Sequence, residues 1–316
     1  MAVDDDELER VARRYWLDRV TMDVVAREEG VSRSTVSRML DAARVRGIVT
    51  VTVAPVHGRA PALAAALGDR FGVEAVVAPV PEGATELARL EAVADATAGL
   101  LGDLMGSGLV LGVAWGTTTS AVARHLVARS TVDAHVVQLN GAANSRSTGL
   151  GYAGEVIDRF GAAWGAEVHQ FPVPAFFDAA GTRRAMWRER SVQGVLALQQ
   201  RCDVALFGVG AVAGGVPSRV YTAGYLTDAD RLSLAEEHVV GDVCTVFLRA
   251  DGSWQGVPLN ARSSGPPPPV LRRIPRRVCA VAGAGKVPAL AAALAAGLVT
   301  DLVVDGSTAR RLLSHR

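Results

Sequence analysis

The segment richest in usable chemistry is GVAWGTTT, residues 112–119. An apolar run, GLVLGV, leads into it and a helical pattern, TSAVARHLVA, follows, so it reads as a strand–turn–helix junction. Glycine lets the backbone approach a ligand, and three hydroxyls join the free amides of a helix N-terminus. That combination suits a phosphate, which the helix dipole also favours. The same residues also fit an ordinary polar turn capped by threonine. LNGAANS, residues 139–145, follows another apolar run, and its Asn140 offers a bond to a sugar hydroxyl or simply takes a left-handed turn conformation. GAGK, residues 283–286, precedes an alanine-rich helix but is not a Walker loop: Val287 replaces the needed Ser/Thr and Ala280 the first glycine. Lys286 is nonetheless the only lysine among 33 Lys and Arg residues. A compact ammonium at a strand-to-helix junction can meet a phosphate or carbonyl, or be a solvated surface group. FGVGAVAG (207–214) and GLGYAG (149–154) match the spacing of a dinucleotide fingerprint. The first continues into GGVPSR rather than a helix and the second does not follow a strand, which argues against a nicotinamide site.

A second kind of chemistry lies near the N-terminus, in TMDVVAREEGVSRSTVSRMLDAARVRGIVTV, residues 21–51. It reads as helix, tight turn, helix and strand. Ala26 allows a close helix crossing, Gly30 suits a turn with φ > 0, and Val36 faces back, which is the spacing of a helix-turn-helix. Ser32 is a good N-cap. Val36, Met39, Leu40 and Ala43 recur at helical spacing as an inner face. Arg33, Ser34, Ser37 and Arg38 occupy the opposite face, where a recognition helix meets base edges and phosphates, with Thr35 at the boundary in reach of a phosphate. A surface helical hairpin with a basic face would have the same spacing.

These groups need a scaffold, and 316 residues suffice for one small domain and one large one. Residues 7–18 carry apolar positions at helical spacing and supply a first helix behind the other two. The β-branched run 48–53 forms a wing or leads out of the domain. APVHGRAP, residues 54–61, is a hinge, so the domains are expected at 1–53 and 62–316. Beyond it, short apolar strands alternate with helices of 10–20 residues. This predicts an α/β domain with a mostly parallel sheet, with ligands at the loops after strands. SSGPPPP, residues 263–269, is expected to be a surface loop, and DVCTVFL, residues 242–248, a single strand.

The formal net charge is only +1, so DNA binding would rest on a local patch: four arginines against one aspartate between residues 31 and 49. Three widely spaced cysteines, Cys202, Cys244 and Cys279, offer neither a disulfide framework nor a zinc spacing, and six histidines show no metal motif. The acidic start is unlike a secretory signal and no apolar run spans a bilayer. A cytoplasmic, membrane-free protein without cofactor or metal is expected.

The run SRSTVSRMLDAARVRGIV resembles the DNA-binding segment of the SorC family of sugar-responsive bacterial transcription regulators. GVAWGTTTSAVARHL is similar to that family's phosphate-binding strand–turn–helix. VVQLNG, FGVGAV, VVGDVCTVFLRADG and VCAVAGAGKVPALAAAL resemble its later blocks, in the family's order. The resemblance implies an effector domain like sugar-phosphate isomerases and glucosamine-phosphate deaminases in fold. It implies that Gly116, Thr117, Thr118 and Thr119 hold a phosphate with Lys286 nearby, and that Asn140, Gly141, Gly210 and Asp242 line the sugar end. The expected function is a regulator of double-stranded operator DNA controlled by a phosphorylated sugar. Because one helix-turn-helix reads a half-site, a homodimer or, from the resemblance, a homotetramer is expected. The alternative is a sugar-phosphate isomerase or deaminase with Asp242 as base and a helical N-terminal arm.

Overall fold

The computed structural model describes residues 4–49, 61–144, 150–211 and 218–315. The chain divides into two compact units, residues 1–56 and 57–316.

In the first unit, α1 (Asp5–Ala12) runs into a π-helical turn at Arg13–Leu17, followed by α2 (Met22–Glu28) and α3 (Arg33–Val45). The chain reverses at Gly30, whose φ of +67° lies in the left-handed region open to glycine. The Val31 amide donates to the Ala26 carbonyl at 2.9 Å, closing that turn. Ser32 then caps α3, its Oγ accepting from the Thr35 amide at 3.1 Å. Leu8, Val11, Val25, Ala26, Val36, Met39, Leu40 and Ala43 form one buried core. The apolar positions recur at three and four residues, so each helix turns one face inward. Paired charges brace the outside: Arg10 grips Glu29 through bonds of 3.0 and 2.8 Å, and Arg14 spans Glu28 and Asp18. Ile48 and Val49 pack half-buried on this core without forming a strand. The remainder of the expected wing, and residues 54–60 of the expected hinge, lie outside the described residues. Pro61 instead opens a helix, Pro61–Phe71, where its missing N–H costs nothing.

The strands of the second unit are β1 (Glu74–Ala78), β2 (Val110–Val113), β3 (His135–Gln138), β4 (Glu167–His169), β5 (Val204–Phe207), β6 (Val209–Gly210), β7 (Val239–Val243), β8 (Val246–Arg249), β9 (Arg276–Val281) and β10 (Asp301–Asp305). Seven of them form a wholly parallel sheet in the order β1-β10-β9-β5-β2-β3-β4. β6, β7 and β8 form a small antiparallel sheet.

Both faces of the large sheet are covered, so its strands are apolar on both sides rather than alternating with polar residues. Successive side chains go to opposite faces. Val204 and Leu206 join one core with Leu90, Val93, Phe160 and Trp164. Ala205 and Phe207 join the other with Leu67, Leu290 and Leu312. Among the described residues, no helix is long and apolar enough to cross a membrane.

Two expectations need correction. DVCTVFL is not one strand but a hairpin, with β7 ending at Val243 and β8 beginning at Val246. Cys244 (φ 49°) and Thr245 (φ 68°) make the two-residue turn in the left-handed region. Neither residue type announces such a turn, which ordinarily takes Asn or Gly. SSGPPPP is not a surface loop either: Ser263, Ser264 and Pro268 are buried. The Ser264 hydroxyl accepts from the Gly141 amide at 2.9 Å and donates to the Ala175 carbonyl at 3.0 Å. Those bonds replace the water that a polar segment would otherwise seek.

Candidate functional site

The chain leaves β2 toward β3 on one side and leaves β5 toward β9 on the other, although β2 and β5 are neighbours. Loops that part in this way open a crevice at the carboxyl ends of the strands. A recess with about 500 Å³ of empty space, its solvent mouth included, lies there. It is floored by the segments after β2, β3, β5 and β9 and roofed by the β7–β8 turn.

The segment after β2 contributes Trp115, Gly116 and the first turn of a helix, Thr117–Arg124. Thr118 and Thr119 are buried, and Thr119 Oγ1 donates to the Gly116 carbonyl at 3.0 Å. Opposite this turn sits Lys286, 6 % exposed, at the end of a 3-10 turn after β9. Among the described residues its ammonium forms no hydrogen bond or ion pair. Burial lowers its pKa, opposed by Cys279, Asp242 and Glu86.

Asp242, on β7, is held at Oδ2 by the Thr245 amide at 3.1 Å, which is what the left-handed turn achieves. Its Oδ1 is buried with no hydrogen-bond partner among the described residues, as are Asn140 Oδ1 and the Tyr221 hydroxyl. Burial pushes the Asp242 carboxyl up to about 6, against the opposing pull of the Thr245 amide, Tyr221 and Lys286. Burial, then the neighbouring Asp242, raises the Tyr221 phenol. The recess therefore holds one buried cation and the buried side-chain oxygens of Asn140 and Asp242, an arrangement suited to an anionic, hydroxyl-rich ligand.

Two glycines keep the recess open. A Cβ on Gly210 would overlap Asp242 Oδ1 and come within 2.9 Å of Ser218 Oγ. One on Gly208 would stand 3.2 Å from the Ala280 carbonyl and 3.6 Å from Thr118. Of the residues expected at the site, Gly116, Thr117, Thr118, Thr119, Asn140, Gly210, Asp242 and Lys286 all line this recess. Gly141 does not. It packs against the backbone of Val173 and Pro174, where a Cβ would collide, and its amide is taken by Ser264.

The structure adds Trp115, Ser218, Arg219, Cys244 and Thr245 to the lining. Trp115 Nε1 donates to the carbonyls of Asn140 (3.2 Å) and Gly141 (2.9 Å), tying the β2 and β3 loops together. Its ring stacks on Tyr225 at 5.0 Å. Arg219 lies over the Tyr152 ring at 3.9 Å, leaving its guanidinium at the mouth. A tryptophan between strand and glycine was the available signal for the first; nothing local marked the others.

In the helical unit, Arg33, Ser34, Ser37 and Arg38 are exposed on the outer face of α3, and Thr35 is half-buried. Ser32 Oγ contacts Ser34 Oγ and Thr35 Oγ1 at 2.8 and 2.9 Å, so it acts as a cap and organises the turn. Arg38 reaches back to the Ser34 carbonyl and Thr35 Oγ1, both at 3.4 Å, and Arg33 is 3.8 Å from Asp23. These long contacts leave both guanidiniums able to turn outward.

Residues 57–314 match the family described as "Putative sugar-binding domain". Over 309 residues the chain is 28% identical to the deoxyribonucleoside regulator of Bacillus subtilis strain 168, covering 96% of each. The full-length sorbitol operon regulator SorC of Klebsiella pneumoniae superposes with a TM-score of 0.83 at 25% identity, over 99% of this chain and 100% of that one. A domain of a "possible sugar-binding transcriptional regulator" from Arthrobacter aurescens TC1 is 49% identical, with a TM-score of 0.76 over 83% of this chain and 100% of its own.

Proposed function

The chain belongs to the sugar-binding domain family of SorC-type transcription regulators, and from that premise we propose how it works: α3 binds operator DNA, and the recess at the ends of β2 and β5 senses a phosphorylated sugar. The amides and hydroxyls of Thr117, Thr118 and Thr119, with Gly116 giving close approach, take the phosphate, and Lys286 neutralises it. Asn140 and Asp242 take sugar hydroxyls. Arg33, Ser34, Thr35, Ser37 and Arg38 face the major groove, with Ser32 fixing the helix start. Operator binding needs two such helices, so the working form is a homodimer or homotetramer.

The observation that carries this reading is that one recess brings together the buried Lys286, which has no hydrogen bond or ion pair among the described residues, and the buried Asn140 Oδ1 and Asp242 Oδ1, which have no hydrogen-bond partner among them. Each of the two buried oxygens costs about 1–3 kcal/mol while unpaired, and a ligand with complementary groups removes that cost. Such a ligand alters DNA affinity only by binding the DNA-competent and incompetent arrangements unequally.

The test is a thermal-shift screen of the full chain against sugar phosphates and the matching free sugars. A ligand at a hundred times its Kd stabilises by about 2.7 kcal/mol, enough to read without knowing the operator. The expected result is a shift with one phosphorylated sugar that is lost on Thr118→Ala or Lys286→Met. A shift with free sugars alone would overturn the phosphate assignment.

A further inference from the structure

At the opposite, amino-terminal end of the sheet, β3 and β4 run side by side, with His135 opposite Glu167 and Val137 opposite His169. Glu167 and His169 are two apart on a strand, so they share a face, and the parallel register brings His135 onto it. His135 Nδ1 lies 3.1 Å from His169 Nε2. The Glu167 carboxylate is 3.7 Å from His135 Nδ1 and 3.6 Å from His169 Nε2. One ligand atom from each of the three residues falls within 4.8 Å of the others.

We propose that His135, His169 and Glu167 form a binding site for a divalent transition-metal ion, with zinc the best match. Two nitrogens about 2.0–2.1 Å from a tetrahedral zinc stand roughly 3.4 Å apart, close to the separation here. A set of two imidazoles and one carboxylate selects zinc, cobalt or nickel over magnesium and calcium, which prefer all-oxygen shells.

The outer shell supports the same assignment. Asp133 Oδ1 is 3.6 Å from His135 Nε2, the nitrogen facing away from the other ligands. That is longer than a hydrogen bond, but a small rotation of this exposed carboxylate would let it accept from Nε2–H and leave the Nδ1 lone pair for the metal. Both histidines are partly buried, with side chains 22% and 27% exposed, whereas Glu167 is open at the edge. The ion would enter from solvent, keep a fourth position for water and clamp the three-residue edge strand to its neighbour. The histidines are 34 residues apart in sequence, so no spacing motif announces them.

The experiment is a calorimetric titration of tag-free, chelator-stripped full chain with zinc chloride, followed by cobalt substitution and its visible spectrum. The expected result is one ion per chain, with His135→Ala and His169→Ala each weakening binding by more than about tenfold. Glu167→Gln should weaken it less, and His125→Ala, at a histidine that instead contacts Glu91 at 2.7 Å and Asp95 at 3.6 Å, should leave it unchanged. Matching melting temperatures in chelator establish that the variants fold, and His169→Gln serves where alanine does not. No saturable zinc binding would overturn the proposal and leave a plain histidine–histidine hydrogen bond. Binding that survives loss of both histidines would overturn it equally.

Discussion

Gly210 and Asp242 are opposed residues of the antiparallel pair β6–β7, and the Asp242 carboxylate lies directly over the glycine. The absent side chain at one position is what makes room for the functional group at the other. A methyl at 210 has no space unless the carboxylate leaves, and Asp242 is also fixed by the Thr245 amide at 3.1 Å. Gly210→Ala should therefore cost about 1–3 kcal/mol in urea unfolding, the range for overpacking. It should also abolish the effector-induced thermal shift. Retained ligand response with unchanged stability would mean that the carboxylate is not confined by this glycine.

Asp242 carries a pH signature of its own. Its carboxyl is raised to about 6 from an ordinary 3.8, with burial as the main cause. Between those values the folded chain holds a proton that the unfolded chain has released. This group's effect on stability is therefore absent below the unfolded value and becomes an increasing penalty as pH rises through about 6. The full penalty is about 3 kcal/mol above that pH. Asp242→Asn removes the titrating group, so the ligand-free variant should be more stable than the parent at pH 8, with the gap closing toward pH 4. The same substitution should weaken effector binding. A gap that widens on acidification would contradict the assignment.

Arg38 is exposed on α3 and held only by two long contacts to Ser34 and Thr35. Arg38→Ala should weaken operator binding about tenfold and, where it meets a phosphate, lower the slope of log affinity against log salt by about 1. Effector-induced thermal shifts should be unchanged. Equal loss of both activities would refute the separation of roles between the two units.

The legible parts of this protein were those encoded over a few neighbouring residues. Ser32, Gly30 and the apolar spacing of α3 specify the helix pair by local rules. GVAWGTTT similarly carries strand, turn and helix start within one segment. What escaped was set by contacts between distant segments. Cys244 and Thr245 adopt left-handed conformations because Thr245 is drawn onto Asp242 and Ser263, at 3.1 and 3.0 Å, not because either residue favours it. Ser264 looked like loop composition but is buried because Gly141 and Ala175 supply its partners. The resemblance places Gly141 at the sugar end, and its missing side chain serves the close approach of Val173. His135 and His169 meet only through the register of parallel strands.

Trp115 shows how one indole positions the sugar end of the site. Its Nε1 is shared between the Asn140 and Gly141 carbonyls, and its ring is stacked on Tyr225, whose hydroxyl donates to the Ala142 carbonyl at 2.9 Å. Three successive carbonyls after β3 are thus held by one aromatic pair. Trp115→Phe keeps most of the stacking surface but leaves two buried carbonyls short of a donor, which should cost about 1–3 kcal/mol in denaturant unfolding. Gln138 Nε2 also donates to the Asn140 carbonyl, at 2.7 Å, so the loss should fall mainly on Gly141. Because Asn140 is carried on the loosened segment, effector affinity should fall as well, and more for the sugar moiety than for inorganic phosphate. That difference separates positioning from general destabilisation: a variant that loses sugar and phosphate binding equally would show that Trp115 supports only the fold.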